Sequence, residues 1–363
     1  MKAQIKILQN DAVQLLQSLI AIPSLSRQEE GTATRIAAFL EEKNISMHRN
    51  GNNVWAVNKF YDASKPTILL NSHHDTVAPN VKYTRNPFLP KIEDGKLYGL
   101  GSTDAGASLV CLLAAFQYFY YKENMAYNIL FAATAEEEIS GANGIEKLFA
   151  SQDFVNYFLH KDSVAIVGEP TELQLAIAEK GLLVLDSVAY GKAGHAAREE
   201  GENAIYKAIK AIDWFQQYRF SKISEQLGEI KMTVTSIYSE NKAHNVVPAI
   251  CSFVVDIRVT DAYTHEEIVE EIKRNVDVEI KPRSMRLRAS SISNGHPIVQ
   301  AAVSLGKTIY GSPTTSDQAL IPLPSVKCGP GFSGQSHSAD EFVELKWIEE
   351  AIVFYIEWLE KMN

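Results

Sequence analysis

The sequence predicts an α/β fold interrupted by a smaller α+β unit, and three observations carry that prediction. Apolar runs of strand length at 54–57, 67–70, 128–133 and 164–167 alternate with helical stretches, as in a sheet covered on both faces. Between Gly181 and Ala289 the runs give way to alternating patterns, first in Leu183-Val184-Leu185-Asp186-Ser187-Val188-Ala189-Tyr190 and again in Cys251-Ser252-Phe253-Val254-Val255-Asp256-Ile257-Arg258. From Ser291 the helix–strand texture returns. The chain therefore reads as one domain built from 1–180 plus 291–363, with 181–290 inserted as a second unit. Helical segments at 203–218 and 264–275 follow the strands of the insertion and give it a βαβ, ferredoxin-like character.

Taken in order, the first helix is capped by Asn10 or Asp11, carries Ala12, Leu15, Leu16 and Leu19 at helical spacing, and stops at Pro23. A second helix over 32–43 puts Ile36, Phe39 and Leu40 on one face. The four apolar strands come next, and the chain ends in an amphipathic helix built on Phe342, Leu345, Ile348, Ile352, Tyr355 and Leu359. The longest apolar stretch, 109–116, is too short to span a bilayer.

Composition narrows the function classes. With 363 residues, 46% of them hydrophobic and 22% charged, the chain is globular, which excludes disordered and collagen-like classes. A core of this size needs no disulfide or metal to hold it, so a metal would serve chemistry. The net charge of -9 argues against nucleic acid as a partner. The densest basic run, Lys281, Arg283, Arg286 and Arg288, reads as the solvated face of a strand. Cys111, Cys251 and Cys328 lie far apart with no CxxC pair, which fits a reducing compartment. Polar residues from Gln9 to Gln17 rule out a signal peptide. The expectation is a cytoplasmic protein without a membrane partner.

The polar residues cluster in a telling way. The strand at 67–70 runs into Asn71-Ser72-His73-His74-Asp75, the one at 128–133 into Ala135-Glu136-Glu137-Glu138, and the one at 164–167 into Gly168-Glu169-Pro170. Open α/β sheets bind ligands at the C-terminal ends of their strands. A glycine-rich turn, Gly99 to Gly106, holds Asp104, and a second glycine-rich loop from Gly329 brings His337. Each has a plain alternative: an ordinary polar histidine, a solvated helix start, a turn, a helix cap at His337, Asp340 and Glu341. His73 and His74 face opposite ways on a strand, so at most one serves a given site. Phosphate-loop and dinucleotide readings fail, because Ala107 stands where the phosphate loop has lysine and the third glycine of the dinucleotide fingerprint is missing.

These segments, in this order, resemble the family of dimetal (zinc) aminoacylases and carboxypeptidases that includes acetylornithine deacetylase, succinyl-diaminopimelate desuccinylase and glutamate carboxypeptidase. Ser72-His73-His74-Asp75-Thr76-Val77 resembles its Gly-His-x-Asp-Thr-Val, Gly99 to Asp104 its Gly-Arg-Gly-x-x-Asp, and Thr134 to Glu138 its Thr-x-Asp-Glu-Glu. Gly168-Glu169-Pro170-Thr171 matches Gly-Glu-Pro-Thr, and Gly194-His195-Ala196-Ala197, Asn245 to Pro248, Asp256-Ile257-Arg258 and Thr315-Ser316-Asp317 also have counterparts. The chain departs from the family at Ala105-Gly106-Ala107-Ser108, where Met-Lys-Gly-Gly often stands, and at Glu136, which replaces an Asp.

The resemblance implies a hydrolase-like catalytic domain with a mixed, mainly parallel sheet and an inserted ferredoxin-like dimerisation or lid domain. It implies two divalent ions, zinc or cobalt, held by His73, Asp104, Glu138, Glu169 and His337, with Asp104 bridging. His73 and Glu169 complete one site, Glu138 and His337 the other. Asp75 orients His73, Glu137 is the general base, and His195 comes from the partner of a homodimer, with Asn245 nearby. Arg258 and Gly329 contact substrate. The donor set agrees with zinc on chemical grounds: imidazole and carboxylate without thiolate, with three carboxylates and one hydroxide balancing four positive charges. The implied reaction is deacylation of a small N-acylated amino acid, N-acetylornithine or an acyl-citrulline in arginine biosynthesis. The alternatives are desuccinylation of succinyl-diaminopimelate, a related exopeptidase or dipeptidase activity, and a non-catalytic binding protein.

Overall fold

The computed structural model describes residues 2–198 and 200–363. They form two compact units: Met1–Ile177 with Ser291–Tyr310 and Ser316–Asn363, and Ala178–Ser290 with Gly311–Thr315.

The first unit is built on a mixed sheet. Asn128–Thr134, Thr67–His73, Val164–Val167 and Ser325–Lys327 lie side by side and parallel. Asn53–Val57 adds to the first of these antiparallel, and His48–Asn50 extends that edge as a hairpin. Thr67–His73 and Asn128–Thr134 are buried at every position, which is why they read as continuous apolar runs. Successive side chains go to opposite faces. Ile68, Leu70, Ile129 and Phe131 join the larger core with the helices, while Leu69, Leu130, Ala165 and Val167 pack with Ile145, Leu148 and Phe154 on the other side. The larger core centres on the helix Ser108–Phe119, between Lys2–Ile20 and Leu345–Met362.

Two elements differ from the sequence expectation. The first helix begins at Lys2 rather than at a cap near Asn10. Leu8 continues the buried stripe of Ala12, Leu15, Leu16 and Leu19 upstream, and Asp11 accepts from Lys43 Nζ instead of capping. The last helix begins at Leu345, because Phe342–Glu344 is a short strand paired with Lys96–Tyr98. Among the described residues no helix is long and apolar enough to cross a membrane.

The second unit is a four-stranded antiparallel sheet in the order Lys231–Tyr238, Ile250–Val259, Gly181–Tyr190, Glu279–Pro282. With helices Ala204–Gln217 and His265–Asn275 between the strands, the spatial order 2-3-1-4 is that of a ferredoxin-like fold. Gly181–Tyr190 alternates buried and half-buried along nearly its whole length, and its inward residues meet Ala208, Phe215, Phe253, Val255 and Ile268. Gly311–Thr315 joins this unit through Ser312, whose carbonyl accepts from Lys180 N at 3.0 Å.

Candidate metal centre

The parallel strands end together, and their last residues supply the site. His73 closes Thr67–His73 and is 1% exposed. Its Nδ1 lies 3.0 Å from the Asp75 carbonyl oxygen, which as a pure acceptor makes Nδ1–H the donor. Nε2 is thereby left facing Asp104 Oδ1 at 3.2 Å, Glu169 Oε1 at 3.7 Å and Glu137 Oε2 at 3.9 Å. On the other side His337 Nε2 lies 2.9 Å from Glu138 Oε2 and 3.6 Å from Asp104 Oδ2. Asp104 thus offers one oxygen to each imidazole, and Ser336 Oγ donates to Oδ2. Two sets of donor atoms are close enough to hold an ion: His73, Asp104 and Glu138, and His73, Glu137 and Glu169. The five residues expected as ligands therefore stand within one cluster, and Glu137 stands inside it too.

Asp75 does more than the resemblance implied. Its carboxylate is 3.5 Å from His73 Nδ1, farther than its own carbonyl. Oδ1 accepts from Glu137 N at 3.0 Å, while Oδ2 accepts from Glu138 N at 3.2 Å and from Ser26 Oγ at 2.7 Å. One residue thus orients the imidazole through its carbonyl and anchors, through its carboxylate, the turn that carries two glutamates. That turn enters through Glu136 at φ 55 and leaves through Ser140 at φ 47. His74 points away, between Thr32 Oγ1 and the Asn52 carbonyl oxygen, each at 2.9 Å. Burial pushes its pKa down to about 4, so it packs as a neutral ring.

The electrostatics show too much negative charge for two imidazoles. Burial, with the charges of Glu169, Asp317 and Glu138 outweighing the pull of His73, holds the Glu137 carboxyl well above its ordinary value. Glu169 is pushed up to about 8 by burial and by the neighbouring Asp104 and Glu138 carboxylates. Asp317 rises to about 6, chiefly through burial. Burial opposes the charged form of His73, but Glu137, Asp104, Asp75 and Glu169 outweigh it and raise the ring well above the usual imidazole range. Its hydrogen bond to Glu138 is the main reason His337 rises to about 9. Buried carboxylates in excess of their cations are costly unless a cation joins them. Nitrogen and oxygen donors without sulfur suit zinc or a similar divalent ion.

Three residues expected to touch substrate lie in the second unit. His195 pairs across a two-stranded ladder with Val246, and Ala196 N donates to the Asn245 carbonyl oxygen at 2.8 Å, so His195 and Asn245 are neighbours. Arg258 sits elsewhere on that unit and donates from Nε and Nη2 to Asp256 at 2.9 and 3.1 Å. Among the described residues these engage two of its five N–H groups.

Gly329 packs tightly beneath the cluster. It is buried, its N–H donates to Thr171 Oγ1 at 3.0 Å, and its carbonyl accepts from Leu173 N at 2.9 Å. A Cβ there would stand 2.1 Å from Ser108 Oγ and 2.5 Å from the Glu169 carbonyl oxygen. Glycine is needed for this close approach beneath Glu169.

Sequence reading missed two buried acids. Asp317, seen only as part of Thr-Ser-Asp, accepts from Thr134 Oγ1 at 2.7 Å behind the cluster. Glu341 is no helix cap but reaches the turn that holds Asp104, where Thr103 N donates to it at 2.7 Å.

Comparison with known proteins agrees with this picture. The chain is 26% identical over 383 residues to a succinyl-diaminopimelate desuccinylase of Rickettsia bellii, with 96% of each covered. Its fold matches that of the aminopeptidase PepT from Bacillus cereus with a TM-score of 0.76 at 18% identity, over 97% of this chain and 98% of that one. It also matches the YXEP protein of Bacillus subtilis, described as a dinuclear metal binding peptidase, with a TM-score of 0.71 at 17% identity over 98% of both chains. The family described as Peptidase family M20/M25/M40 matches residues 69–361, most of the chain and all of the cluster, and the protein belongs to that family of hydrolases.

Proposed function

We propose that this protein is a two-metal amidohydrolase that releases an amino acid from its N-acyl derivative. The observation that carries the reading is Asp104 between His73 and His337, one oxygen toward each, with Glu137 beside them. His73, Asp104 and Glu169 would hold one divalent ion, and Glu138, His337 and Asp104 the other. Bound there, such ions polarise a carbonyl and lower the pKa of water.

The chain's own residues do the rest. Glu137, the carboxylate not required as a ligand, takes the proton of the attacking water and delivers it to the departing amine nitrogen. Asp75 keeps that carboxylate in reach by accepting the N–H of Glu137 and Glu138. His195 donates to the carbonyl oxygen as negative charge builds there, and the guanidinium of Arg258 takes a substrate carboxylate.

The second unit supports a homodimer. In the sheet register Arg258 pairs with Leu182, whereas Ile250 pairs with Tyr190. Eight residues at about 3.3 Å each put Arg258 roughly 26 Å along the strand from the end that leads to His195 and Asn245. That separation favours a site that takes the two from different chains. Lys231–Tyr238 is an edge strand with Ile237 and Tyr238 52% and 58% exposed. The adjoining helix exposes Tyr206 and Ile209. An uncovered edge with apolar neighbours suits pairing with a second copy.

For the acyl group, the desuccinylase relative favours an N-succinyl diamino acid as the first substrate to test, ahead of N-acetylornithine. The experiment is a panel of N-succinyl, N-acetyl and N-formyl amino acids with dipeptides, assayed for released amine with zinc or cobalt, alongside metal analysis. Two zinc ions per chain and turnover of an N-acyl amino acid are expected. A protein that binds no zinc and turns over nothing on the panel is a binding module, and the proposal fails.

A further inference from the structure

We propose that Glu341 is a positioning residue, a buried clasp that sets the bridging Asp104 against His337 and so governs metal affinity. The inference rests on the two-metal reading above.

Asp104 sits on an irregular turn, Ser102–Ala107, entered through Gly101 at φ 73. The first N–H groups of such a turn have no partner within it. Glu341 supplies one. Its Oε1 accepts from Thr103 N at 2.7 Å and Asp104 N at 3.0 Å, and Oε2 accepts from Gly101 N at 3.0 Å. The side chain is 1% exposed. A buried carboxylate is tolerated where charge-assisted N–H bonds replace its water, and here both oxygens are used. Glu341 therefore lies close to the metal residues with both of its oxygens engaged by backbone N–H groups.

The backbone around Glu341 ties the same two segments together. Gly99 N donates to the Glu341 carbonyl oxygen at 3.0 Å, and Thr103 Oγ1 donates to that of Phe342 at 2.6 Å. The next residues pair as strands, Phe342 with Tyr98 and Glu344 with Lys96. His337 precedes Glu341 by four residues, so the contact that fixes Asp104 also fixes the segment delivering the second imidazole. The two residues meet across 237 positions of sequence, and their separation sets whether one carboxylate can serve two ions.

Glu341→Gln keeps the shape and one acceptor oxygen, but turns an amide N–H toward the N–H of Gly101. Glu341→Ala removes all three bonds. Zinc affinity is measured by competition with a chromophoric chelator, and the folding of the metal-free proteins by circular dichroism. Changing a group that orients ligands typically weakens metal binding about 10- to 100-fold. The alanine variant is expected at the upper end of that range, and the glutamine variant at the lower end while folded without metal. Should the alanine variant fail to fold, the glutamine variant decides alone. A folded glutamine variant that binds zinc within about twofold of wild type overturns the proposal, as does failure of the metal-free glutamine variant to fold, which would give Glu341 a role in the fold as a whole. Wild-type protein that binds no zinc overturns the two-metal reading itself.

Discussion

Asp75→Asn is the sharpest probe of how the base is held. Three donors converge on the Asp75 carboxylate: Glu137 N, Glu138 N and Ser26 Oγ. The residue is 1% exposed, so water cannot substitute. Asparagine offers one oxygen and one NH2 group in the same volume. If the oxygen stays on Glu137 N, the NH2 meets Glu138 N, donor against donor, while Ser26 rotates to accept. One charge-assisted bond is lost and one N–H is buried unpaired, a loss of about 1.5–3 kcal/mol in stability. The imidazole keeps its tautomer, because His73 Nδ1 is held by the Asp75 carbonyl, which the substitution leaves in place. The damage should therefore fall on the turn bearing Glu137 and Glu138. Steady-state kinetics on the best substrate of the panel should show kcat down about 10- to 100-fold, the usual effect of an outer hydrogen-bonding partner, with zinc still bound at saturating metal. A kcat within about threefold of wild type, with unchanged thermal stability, would refute the reasoning.

The remaining predictions test individual roles. Glu137→Gln should lower kcat by about 10²–10⁴ with zinc content unchanged, as for a lost general base; Glu138→Gln should instead lose metal first, and metal analysis of the two variants side by side separates base from ligand. His195→Ala should lower kcat by about 10²–10³ with little change in KM, and mixing it with Glu137→Gln should restore activity in the heterodimer; no recovery after proven subunit exchange would place His195 within its own chain's site or outside catalysis. Gly329→Ala should destabilise by about 1–3 kcal/mol through overpacking, since its Cβ would stand 2.5 Å from the Glu169 carbonyl oxygen; a thermal melt identical to wild type would contradict the close packing under Glu169.

How far the sequence could be read follows from what each feature depends on. The buried strands were legible because burial on both faces leaves an uninterrupted apolar run, as in Asn128–Thr134. The alternating strands of the second unit were legible because one face meets helices and the other does not. The imidazole and carboxylates at the strand ends stood out because a polar residue straight after such a run has no packing reason to be there. What stayed hidden is whatever depends on contact between distant segments. Nothing local tells that Asp11 pairs with Lys43 rather than capping a helix, or that Glu341 faces Gly101 and Thr103 rather than its own helix. The tight packing of Gly329 against Ser108 and Glu169 was equally hidden, because a glycine-rich loop looks alike whether it makes room for a ligand or for a neighbouring backbone. The resemblance implies that Asp75 orients His73. That its carboxylate also takes the backbone N–H groups of Glu137 and Glu138 is something no pattern of residue types encodes.

The cluster also explains why its parts come from both ends of the chain. A parallel sheet ends in loops that all emerge on one edge, and that edge gathers His73, Glu137 and Glu169 without further device. It gives no second imidazole. His337 arrives after the last parallel strand, Ser325–Lys327, on a glycine-containing loop that the strand pairing at Phe342–Glu344 ties to Lys96–Tyr98. Burial, and then repulsion between neighbouring carboxylates, pushes Glu137 and Glu169 upward at this edge. The hydrophobic core beneath them, centred on the helix Ser108–Phe119, is formed by other residues and does not require them. Acids that the core does not need, buried together in an arrangement that raises their energy, are retained for what they bind. Asp104, placed between two imidazoles, is what favours a pair of cations over one in the function proposed.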